Sequence, residues 1–237
     1  MVSMIAGPLA RNDPAQYDEL ADQWWDPWGP FCMLHWLAAS RAEHIPPAPH
    51  PGAVLVDLAC GAGLMAPHVR RLGYRHVGVD ITASALDLAA EHGVLPVRGS
   101  VLAVPLADGC ADVVVAGEVL EHVEDDVAVL AECARLLKRG GTLVIDAVAA
   151  TRLADLIAVR LVERIHGAPR GIHDPALFVD RARLLAAADG LGLDLRLVGL
   201  RPSVRDGFAW LRRRRERVRM LPIRITAVLF AGYGRKR

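Results

Sequence analysis

Three groups of residues in this sequence have the types and the spacing to do chemistry. The first is a pair of glycines, Gly61 and Gly63, which follows a short apolar run and precedes a helical pattern. The second is Asp80, which ends the next apolar run. The third is the segment from Glu118 to His122, a Glu-x-x-Glu-His pattern after a later apolar run. Together they indicate a ligand held by backbone and carboxylates, with acid–base groups beside it.

The two glycines and the carboxylate indicate a nucleotide-like cofactor. Glycine lets the backbone turn sharply and approach a ligand where a Cβ would collide, so Gly61 and Gly63 predict close contact with the cofactor. Asp80 would lie at the end of the second strand, where a carboxylate can accept hydrogen bonds from both hydroxyls of a ribose. The pattern Gly61-x-Gly63-x-x-Ala66 also fits a dinucleotide fingerprint, so the glycines alone leave NAD and S-adenosylmethionine open.

Alternating strand and helix patterns must position these residues. Apolar runs predict strands at 53–58, 75–80, 94–97, 112–117 and 142–147, with helices at 63–72, 83–92 and 125–138. This alternation predicts an α/β fold with a doubly wound, mostly parallel sheet. Later come a helical stretch to about 166, a turn at Gly167–Gly171, a helix near 180–190, and strands near 193–199 and 223–231, which would complete a seven-stranded sheet.

The predicted sheet brings the chemical residues to one edge. Ligands of such sheets bind beyond the carboxyl ends of the strands, where the glycines, Asp80 and Glu118 all fall. A second mononucleotide half is not apparent after residue 150, which favours S-adenosylmethionine over NAD. The proline-rich stretch from Pro46 to Gly52 cannot continue a helix, so we predict an N-terminal helical cap at 1–50 and one catalytic domain at 51–237.

Composition narrows the class of protein. The 237 residues, 53% of them hydrophobic, suffice for one large core. A net charge of +1 argues against a nucleic-acid partner. The cysteines form no Cys-x-x-Cys pair and are expected to be reduced thiols, and no secretory leader or bilayer-length apolar run is apparent. These features predict a cytoplasmic protein and leave its oligomeric state open.

The motifs, read in order, resemble class I S-adenosylmethionine-dependent methyltransferases. The resemblance is carried by Asp57-x-Ala59-Cys60-Gly61-x-Gly63, Asp80, the segment Gly117 to Val123 and the segment Leu136 to Gly141. A narrower resemblance, to the ubiquinone-biosynthesis O-methyltransferases acting on polyprenyl catechols and 3-demethylubiquinol, rests on Trp24-Trp25-Asp26-Pro27, Phe31, Leu34-His35, Arg41 and Gly171-Ile172-His173-Asp174. It runs from about Tyr17 to Phe178. Two positions depart from the family pattern, since Ala59 stands where glycine is usual and Arg139 where proline is usual.

The resemblance implies S-adenosylmethionine as the cofactor and a small phenolic acceptor, a catechol or hydroquinone-like compound that is O-methylated. The implied cofactor-binding residues are Arg41, Asp57, Ala59, Cys60, Gly61, Gly63, Asp80, Ile81, Ser100, Val101, Gly117, Glu118 and Val119. Arg41 would pair with the carboxylate of the methionine moiety; the alternative is a solvated cap residue. Cys60 would only contact the cofactor, since no histidine stands beside it in sequence.

Methyl transfer to a phenol needs an anion, because a phenol has a pKa of about 10. A base or a metal ion must therefore act at neutral pH. The candidate catalytic residues are Glu118, His122 and His173. The resemblance implies Mg²⁺ at Glu118, Glu121 and His122. The alternative is structural: Glu121 stabilises a helix N-terminus, His122 packs against the sheet, and His173 is a hydrogen-bonding loop residue.

Two further features admit both a functional and a structural interpretation. Three tryptophans, Trp24, Trp25 and Trp28, would wall the aromatic acceptor, close the cap over the donor, or belong to the core. The basic run Arg212–Arg215, with Arg217 and Arg219, follows Phe208 on an expected helix and is either a solvated face or a peripheral contact with the anionic inner face of a membrane. The stretch from Leu153 to Ile165 is a second candidate contact.

Three other functions remain open from the sequence. The chain could methylate a different small-molecule or natural-product acceptor. It could bind the cofactor without catalysis and serve a biosynthetic assembly. An NAD-linked oxidoreductase is the third alternative.

Overall fold

The computed structural model describes residues 11–13, 15–18, 20–161 and 171–237, and within them the strands form a single sheet. The strands are β1 (Val54–Leu58), β2 (Arg75–Asp80), β3 (Leu95–Arg98), β4 (Ala111–Gly117), β5 (Leu137–Val148), β6 (Leu193–Pro202), β7 (Met220–Ile223) and β8 (Leu229–Lys236). Their order is β3-β2-β1-β4-β5-β8-β6-β7. The pairs from β3 to β5 are parallel, and β8, β6 and β7 join antiparallel.

Helices connect the parallel strands and cover the sheet. They are α1 (Ala15–Asp18), α2 (Cys32–Ala42), α3 (Ala66–Leu72), α4 (Ala83–Glu91), α5 (Asp126–Leu136), α6 (Arg152–Ala154), α7 (Arg181–Gly190) and α8 (Val204–Leu211). A π-helix, Asp155–Leu161, follows α6, and short 3₁₀ turns lie at Ala21–Gln23, Leu120–His122 and Pro175–Leu177. No helix within the described ranges is both apolar enough and long enough to cross a bilayer.

Local sequence accounts for where the helices begin and end. The Asp125 carboxylate accepts a hydrogen bond from the Ala128 backbone N–H (2.9 Å) and so begins α5. Ser203 begins α8 in the same way, with its hydroxyl accepting from the Asp206 N–H. Gly73 ends α3 in the left-handed conformation (φ +86°), which glycine adopts without a Cβ penalty. The observed bounds of α3, α4 and α5 confirm the predicted helices at 63–72, 83–92 and 125–138 to within a few residues.

Both faces of the sheet are buried, as a doubly wound sheet requires. One hydrophobic cluster contains Val114 with Leu130 of α5 and Leu184 of α7. A second contains the next residue of β4, Val115, with Val69 of α3. Because neighbouring residues of a strand point to opposite faces, the two clusters lie on opposite sides of the sheet.

The N-terminal region is built into the second cluster. This cluster contains Trp24 and Phe31, which precede α2, and Ala38 within α2. All three are buried in the same cluster as Leu55 of β1. The division at residue 50 into cap and domain stays a prediction.

The late part of the sheet differs from the expected seven strands. The stretch 223–231 is not one strand: β7 ends at Ile223, and β8 begins at Leu229. The two strands lie on opposite sides of β6, so the chain must cross from one side to the other between them. The mostly apolar sequence of this stretch does not show the crossing. The sheet therefore has eight strands rather than the predicted seven.

Two other segments differ from the expected helices. The basic run is not helical, because α8 ends at Leu211 and Arg213 adopts a left-handed backbone (φ +52°). The helical stretch after residue 150 is an α-turn followed by the π-helix to Leu161. Its continuation to 166, and all of the turn at Gly167–Gly171 except Gly171, lie outside the described residues.

Candidate active site

A cavity of about 720 Å³ lies beyond the carboxyl ends of β1, β2 and β4. The loop after β1 supplies Ala59 to Gly61, β2 supplies Asp80, and β4 supplies Gly117. Every predicted cofactor residue except Gly63 lines this cavity, as do the predicted catalytic residues Glu118, His122 and His173. Parallel strands ending at one edge therefore bring both predicted groups to a single place.

The loop after β1 turns sharply, as expected, and its glycines also leave space for protein side chains. Gly61 (φ +50°) and Gly63 (φ +77°) both need glycine's conformational freedom, and Ala59 (φ +54°) takes the same region despite its Cβ. A Cβ on Gly61 would lie 2.7 Å from the Trp24 ring. A Cβ on Gly63 would lie 2.9 Å from the Val94 side chain. The missing Cβ at each glycine therefore leaves room for a neighbouring side chain of the protein, as well as for any ligand that approaches the loop.

Asp80 is anchored by backbone at the cavity wall. One carboxylate oxygen accepts from the Gly61 N–H (2.9 Å), and the other accepts from the Thr82 N–H (2.9 Å). These bonds fix the carboxylate at the end of β2 and couple it to the glycine loop. The Asp80 side chain is buried except where it faces the cavity.

Arg41 reaches the cavity from α2 and forms a buried ion pair that the sequence did not reveal. Its Nε donates to Asp146 Oδ2 (2.5 Å) and its Nη2 to Asp146 Oδ1 (2.8 Å). Both side chains are buried. Burial alone would lower the pKa of Arg41, but the Asp146 charge and hydrogen bonds raise it, so the guanidinium stays charged. Gly117 leaves room for it, because a Cβ there would lie 2.1 Å from the guanidinium carbon.

Asp146 is the clearest site residue that the sequence reasoning missed. It is the one charged residue in the apolar run from Leu143 to Val148, and that contrast could have marked it. Besides holding Arg41, its Oδ1 accepts from the Glu118 N–H (3.0 Å). Asp146 therefore links the helix that carries Arg41 to the start of the Glu118 segment.

Glu118 has a strained backbone and an unusually placed carboxyl group. Its φ is +51°, a region that costs a residue with a Cβ about 1–2 kcal/mol. Its Oε1 is buried and has no hydrogen-bond partner in the part of the chain that the structure describes. Burial raises the pKa of Glu118 well above its usual range, and the charges of Glu121 and Asp146 raise it further against the opposing effect of Arg41. Strain and an unpartnered acid at a cavity wall are typical of a functional site.

Glu121 lies behind the cavity wall rather than in it. The side chain is fully buried, and its Oε1 accepts from the Val148 N–H (3.2 Å). Burial raises the pKa of Glu121 to about 8. Its other oxygen has no partner within the described ranges.

The two histidines lie together at the cavity. The ring of His122 stacks on that of His173 with centroids 5.5 Å apart. Burial, and then His173, lower the pKa of His122 to about 3, so its ring is neutral at neutral pH. Its Nδ1 lies 2.5 Å from Asn12 Oδ1.

The expected magnesium site does not form. Among the described residues, no three histidine, cysteine, aspartate or glutamate side chains are arranged to hold a metal ion. Glu121 is buried away from the cavity, and its Oε1 is bonded to the Val148 backbone N–H, so its carboxylate does not face a space that an ion could share with Glu118 and His122. Glu118, Glu121 and His122 therefore do not fit Mg²⁺ in this arrangement.

The aromatic residues divide between core and cavity. Trp24 stacks on Phe31 with centroids 4.1 Å apart, and both line the cavity, as does Trp28. Trp25 instead donates to the Ala62 carbonyl (3.2 Å) and stacks on His92.

Cys60 also lines the cavity, but as an unreactive thiol. Burial and the nearby Asp57 and Asp80 raise the pKa of this thiol well above its usual range. The protonated thiol is a poor nucleophile.

Comparison with known proteins is consistent with this geometry. A family model described as a methyltransferase domain matches residues 56–145. A ubiquinone biosynthesis O-methyltransferase of Ralstonia nicotianae is 35% identical over 197 residues, covering 78% of this chain and 83% of the relative. One of Cupriavidus pinatubonensis is 36% identical and covers 80% of each chain.

Solved structures agree on the fold. An S-adenosylmethionine-dependent methyltransferase of Thermotoga maritima, described as a possible histamine N-methyltransferase, has a TM-score of 0.63 at 16% identity and covers 94% of this chain and 100% of that one. A TehB-like S-adenosylmethionine-dependent methyltransferase of Corynebacterium glutamicum has a TM-score of 0.61 at 18% identity, covering 95% and 100%. At these identities the likeness concerns the fold alone.

Proposed function

The chain belongs to the ubiquinone-biosynthesis O-methyltransferase family of S-adenosylmethionine-dependent methyltransferases, and we propose that it methylates a phenolic hydroxyl of a catechol or hydroquinone-like quinone precursor. The observation that carries the proposal is that one cavity is lined by the glycine loop with Asp80 and also by Glu118, His122 and His173. A cofactor and an acid–base group would then meet at one acceptor.

The cofactor residues predicted from the sequence have roles that their positions support. Asp80 would accept hydrogen bonds from ribose hydroxyls, and the loop from Ala59 to Gly61 would lie against the cofactor. Arg41 uses its Nε and Nη2 for Asp146, so its Nη1 would meet the carboxylate of the methionine moiety. Ile81, Ser100, Val101 and Val119 would complete the wall, and Gly63 would support the loop from behind.

Glu118 is the strongest candidate for the base. Bound S-adenosylmethionine supplies an electrophilic methyl group, and the protein must supply the acceptor oxygen as an anion. A carboxylate with a raised pKa takes a phenolic proton more readily than an ordinary one, and the Glu118 Oε1 has no protein partner among the described residues. His122, with a pKa lowered to about 3, is a weak proton acceptor. In the transfer, the phenolic proton passes to Glu118, the oxygen–carbon bond forms and the sulfonium–carbon bond breaks.

The test is methyl transfer from labelled S-adenosylmethionine to a short-chain polyprenyl catechol. We expect a mono-O-methyl product, and none from the analogue in which both hydroxyls are already methylated. S-adenosylhomocysteine, and not NADH, should raise the melting temperature. A chain that binds S-adenosylhomocysteine but forms no product with any catechol or hydroquinone would refute the proposed acceptor and favour a different acceptor or a non-catalytic role.

The same reaction in EDTA tests the magnesium expectation. Transfer that continues in EDTA agrees with the arrangement of Glu118, Glu121 and His122 described above. Transfer that is lost and then restored by Mg²⁺ would mean that these side chains rearrange when the acceptor binds.

The α8 region supports a peripheral contact with an anionic membrane surface. Val204, Phe208 and Leu211 are 64%, 55% and 68% exposed and are spaced so that they share one face of the helix. The exposed arginines of the basic run follow directly. Apolar side chains beside guanidinium groups fit an interfacial helix on anionic lipid. Trp210 of the same helix lines the cavity, so such a contact would bring the active site close to a lipid-borne acceptor.

Not all of the basic run is free to meet lipid. Arg215 and Arg219 both pair with the buried Asp206. Leu153 and Leu156, in the second candidate contact, are also exposed, and the end of that stretch lies outside the described residues.

Co-sedimentation with vesicles tests this contact. Each basic residue near an anionic surface contributes about 1 kcal/mol, so replacing Arg212, Arg214 and Arg217 with glutamine should weaken binding to phosphatidylglycerol vesicles roughly a hundredfold. The matched control replaces three exposed arginines elsewhere, Arg71, Arg75 and Arg139, and should bind as the parent does. Equal binding by both triple variants, or equal binding to phosphatidylcholine vesicles, would contradict the contact.

A further inference from the structure

Asn12 ties the N-terminal segment to both loops that carry the cavity histidines. Its backbone N–H donates to the Gly171 carbonyl (2.9 Å), two residues before His173. Its side-chain Nδ2 donates to the His122 carbonyl (2.9 Å), and its Oδ1 lies 2.5 Å from His122 Nδ1. Asn12 holds a left-handed backbone (φ +60°), which asparagine tolerates better than most residues. All of these contacts come from a residue 110 positions away from His122 in the sequence.

The two side-chain contacts fix which hydrogen the imidazole carries. A backbone carbonyl can only accept, so the amide atom that faces the His122 carbonyl must be the nitrogen. The amide oxygen then faces the ring, and an amide oxygen can only accept as well. The hydrogen of the contact must therefore belong to Nδ1 of His122. In a neutral imidazole with hydrogen on Nδ1, Nε2 carries the lone pair.

The ring held in this way lines the same cavity as the proposed base. His122 lines the cavity together with His173 and Glu118. Asn12 occupies the Nδ1 edge, so the ring can offer a substrate only Nε2, as an acceptor. A catechol has two neighbouring hydroxyls, and the one that is methylated must give its proton to the base. The other hydroxyl keeps its hydrogen and can donate it.

We propose that Asn12 is a positioning residue that holds His122 in the Nδ1–H tautomer, so that Nε2 accepts a hydrogen bond from the hydroxyl adjacent to the one that is methylated. This selects which of the two hydroxyls meets Glu118 and the methyl group. Because the inference rests on the proposed function, its first test is made without catalysis.

Imidazole nitrogen NMR of the uniformly ¹⁵N-labelled full chain reads the tautomer directly. The His122 signals, assigned by their loss in His122→Gln, should show a protonated Nδ1 and an unprotonated Nε2. Asn12→Leu, which removes both side-chain contacts, should shift the ring toward the Nε2–H form, whereas Asn12→Asp, which still offers an oxygen to Nδ1–H, should keep it. A His122 ring with its hydrogen on Nε2 in the parent chain would overturn the inference, whatever the activity.

The second test uses an unsymmetrical catechol and measures the ratio of its two mono-O-methyl products. We expect Asn12→Leu to lose about tenfold or more of the parent's preference for one product, a change of about 1.4 kcal/mol. The KM for S-adenosylmethionine should not change. Asn12→Asp should keep most of the preference. Gln16→Leu removes a different contact between the same segment and Gly171 and should leave the ratio unchanged.

The outcomes separate the possible failures. If Asn12→Asp loses the preference as fully as Asn12→Leu, Asn12 acts only as a tether through the His122 carbonyl, and the positioning role is wrong. An unchanged product ratio in Asn12→Leu would also overturn it. The predicted tautomer without methylation of any catechol would instead refute the proposed function.

Discussion

Replacing Asp146 with alanine is expected to lower the free energy of unfolding by about 3–5 kcal/mol. The substitution leaves the Arg41 guanidinium buried without the carboxylate that meets it at 2.5 and 2.8 Å. It also removes the acceptor for the Glu118 N–H. Losing one partner of a buried pair costs more than the pair itself contributes, because the remaining charge stays desolvated. Urea unfolding at neutral pH measures the change.

Two further variants serve as controls for this expectation. Asp189→Ala removes an exposed ion pair with Arg237 and should cost less than about 1 kcal/mol. The double substitution Arg41→Met with Asp146→Leu removes both charges and should recover much of the stability, although not cofactor binding. If Asp146→Ala costs no more than Asp189→Ala, the pair is not a structural constraint on the site.

Much of the site could be predicted because it depends on local patterns in the chain. Short apolar runs that lead up to Gly61, Asp80 and Gly117 predict strands. The carboxyl ends of parallel strands meet at one edge of the sheet. The positions of these residues around one cavity follow from that topology alone.

The parts that could not be predicted depend on long-range contacts. Asn12 has no motif and acquires a role only because folding places it against His122. The Glu-x-x-Glu-His spacing suggested a shared metal. However, the 3₁₀ turn Leu120–His122 carries Glu121 into the core while His122 faces the cavity. The spacing in the sequence did not show that Glu118 faces the cavity while Glu121 points into the core.

The glycine loop has a packing role that the sequence alone did not show. Gly61 was expected to be glycine so that a ligand could approach. The structure adds that the Trp24 ring fills the space where a Cβ would lie. The tryptophan motif and the glycine motif, which are 37 residues apart, therefore constrain each other through packing.

Glu118→Gln is expected to lower kcat about 10²–10⁴-fold, the usual contribution of a general base. The variant should fold normally, since glutamine matches the shape of glutamate and removes a buried charge that burial disfavours. The parent should also show a distinctive pH profile. Only the carboxylate can accept the phenolic proton, so kcat/KM should rise about tenfold per pH unit up to the pKa of Glu118 and then level off. Because that pKa is raised, the rise should extend well above pH 4.5, the ordinary value for glutamate.

Glu124→Gln provides the matched control, because Glu124 also lines the cavity but is exposed to solvent. It should keep the parental kcat and the same rising limb. Glu118→Gln should lose that limb, since its residual rate no longer depends on this carboxylate. If Glu118→Gln retains both the limb and most of the rate, the base is another group, and His173 would be the next residue to replace. A limb that stays while kcat falls would mean that Glu118 only positions the acceptor, with the titrating base elsewhere in the cavity.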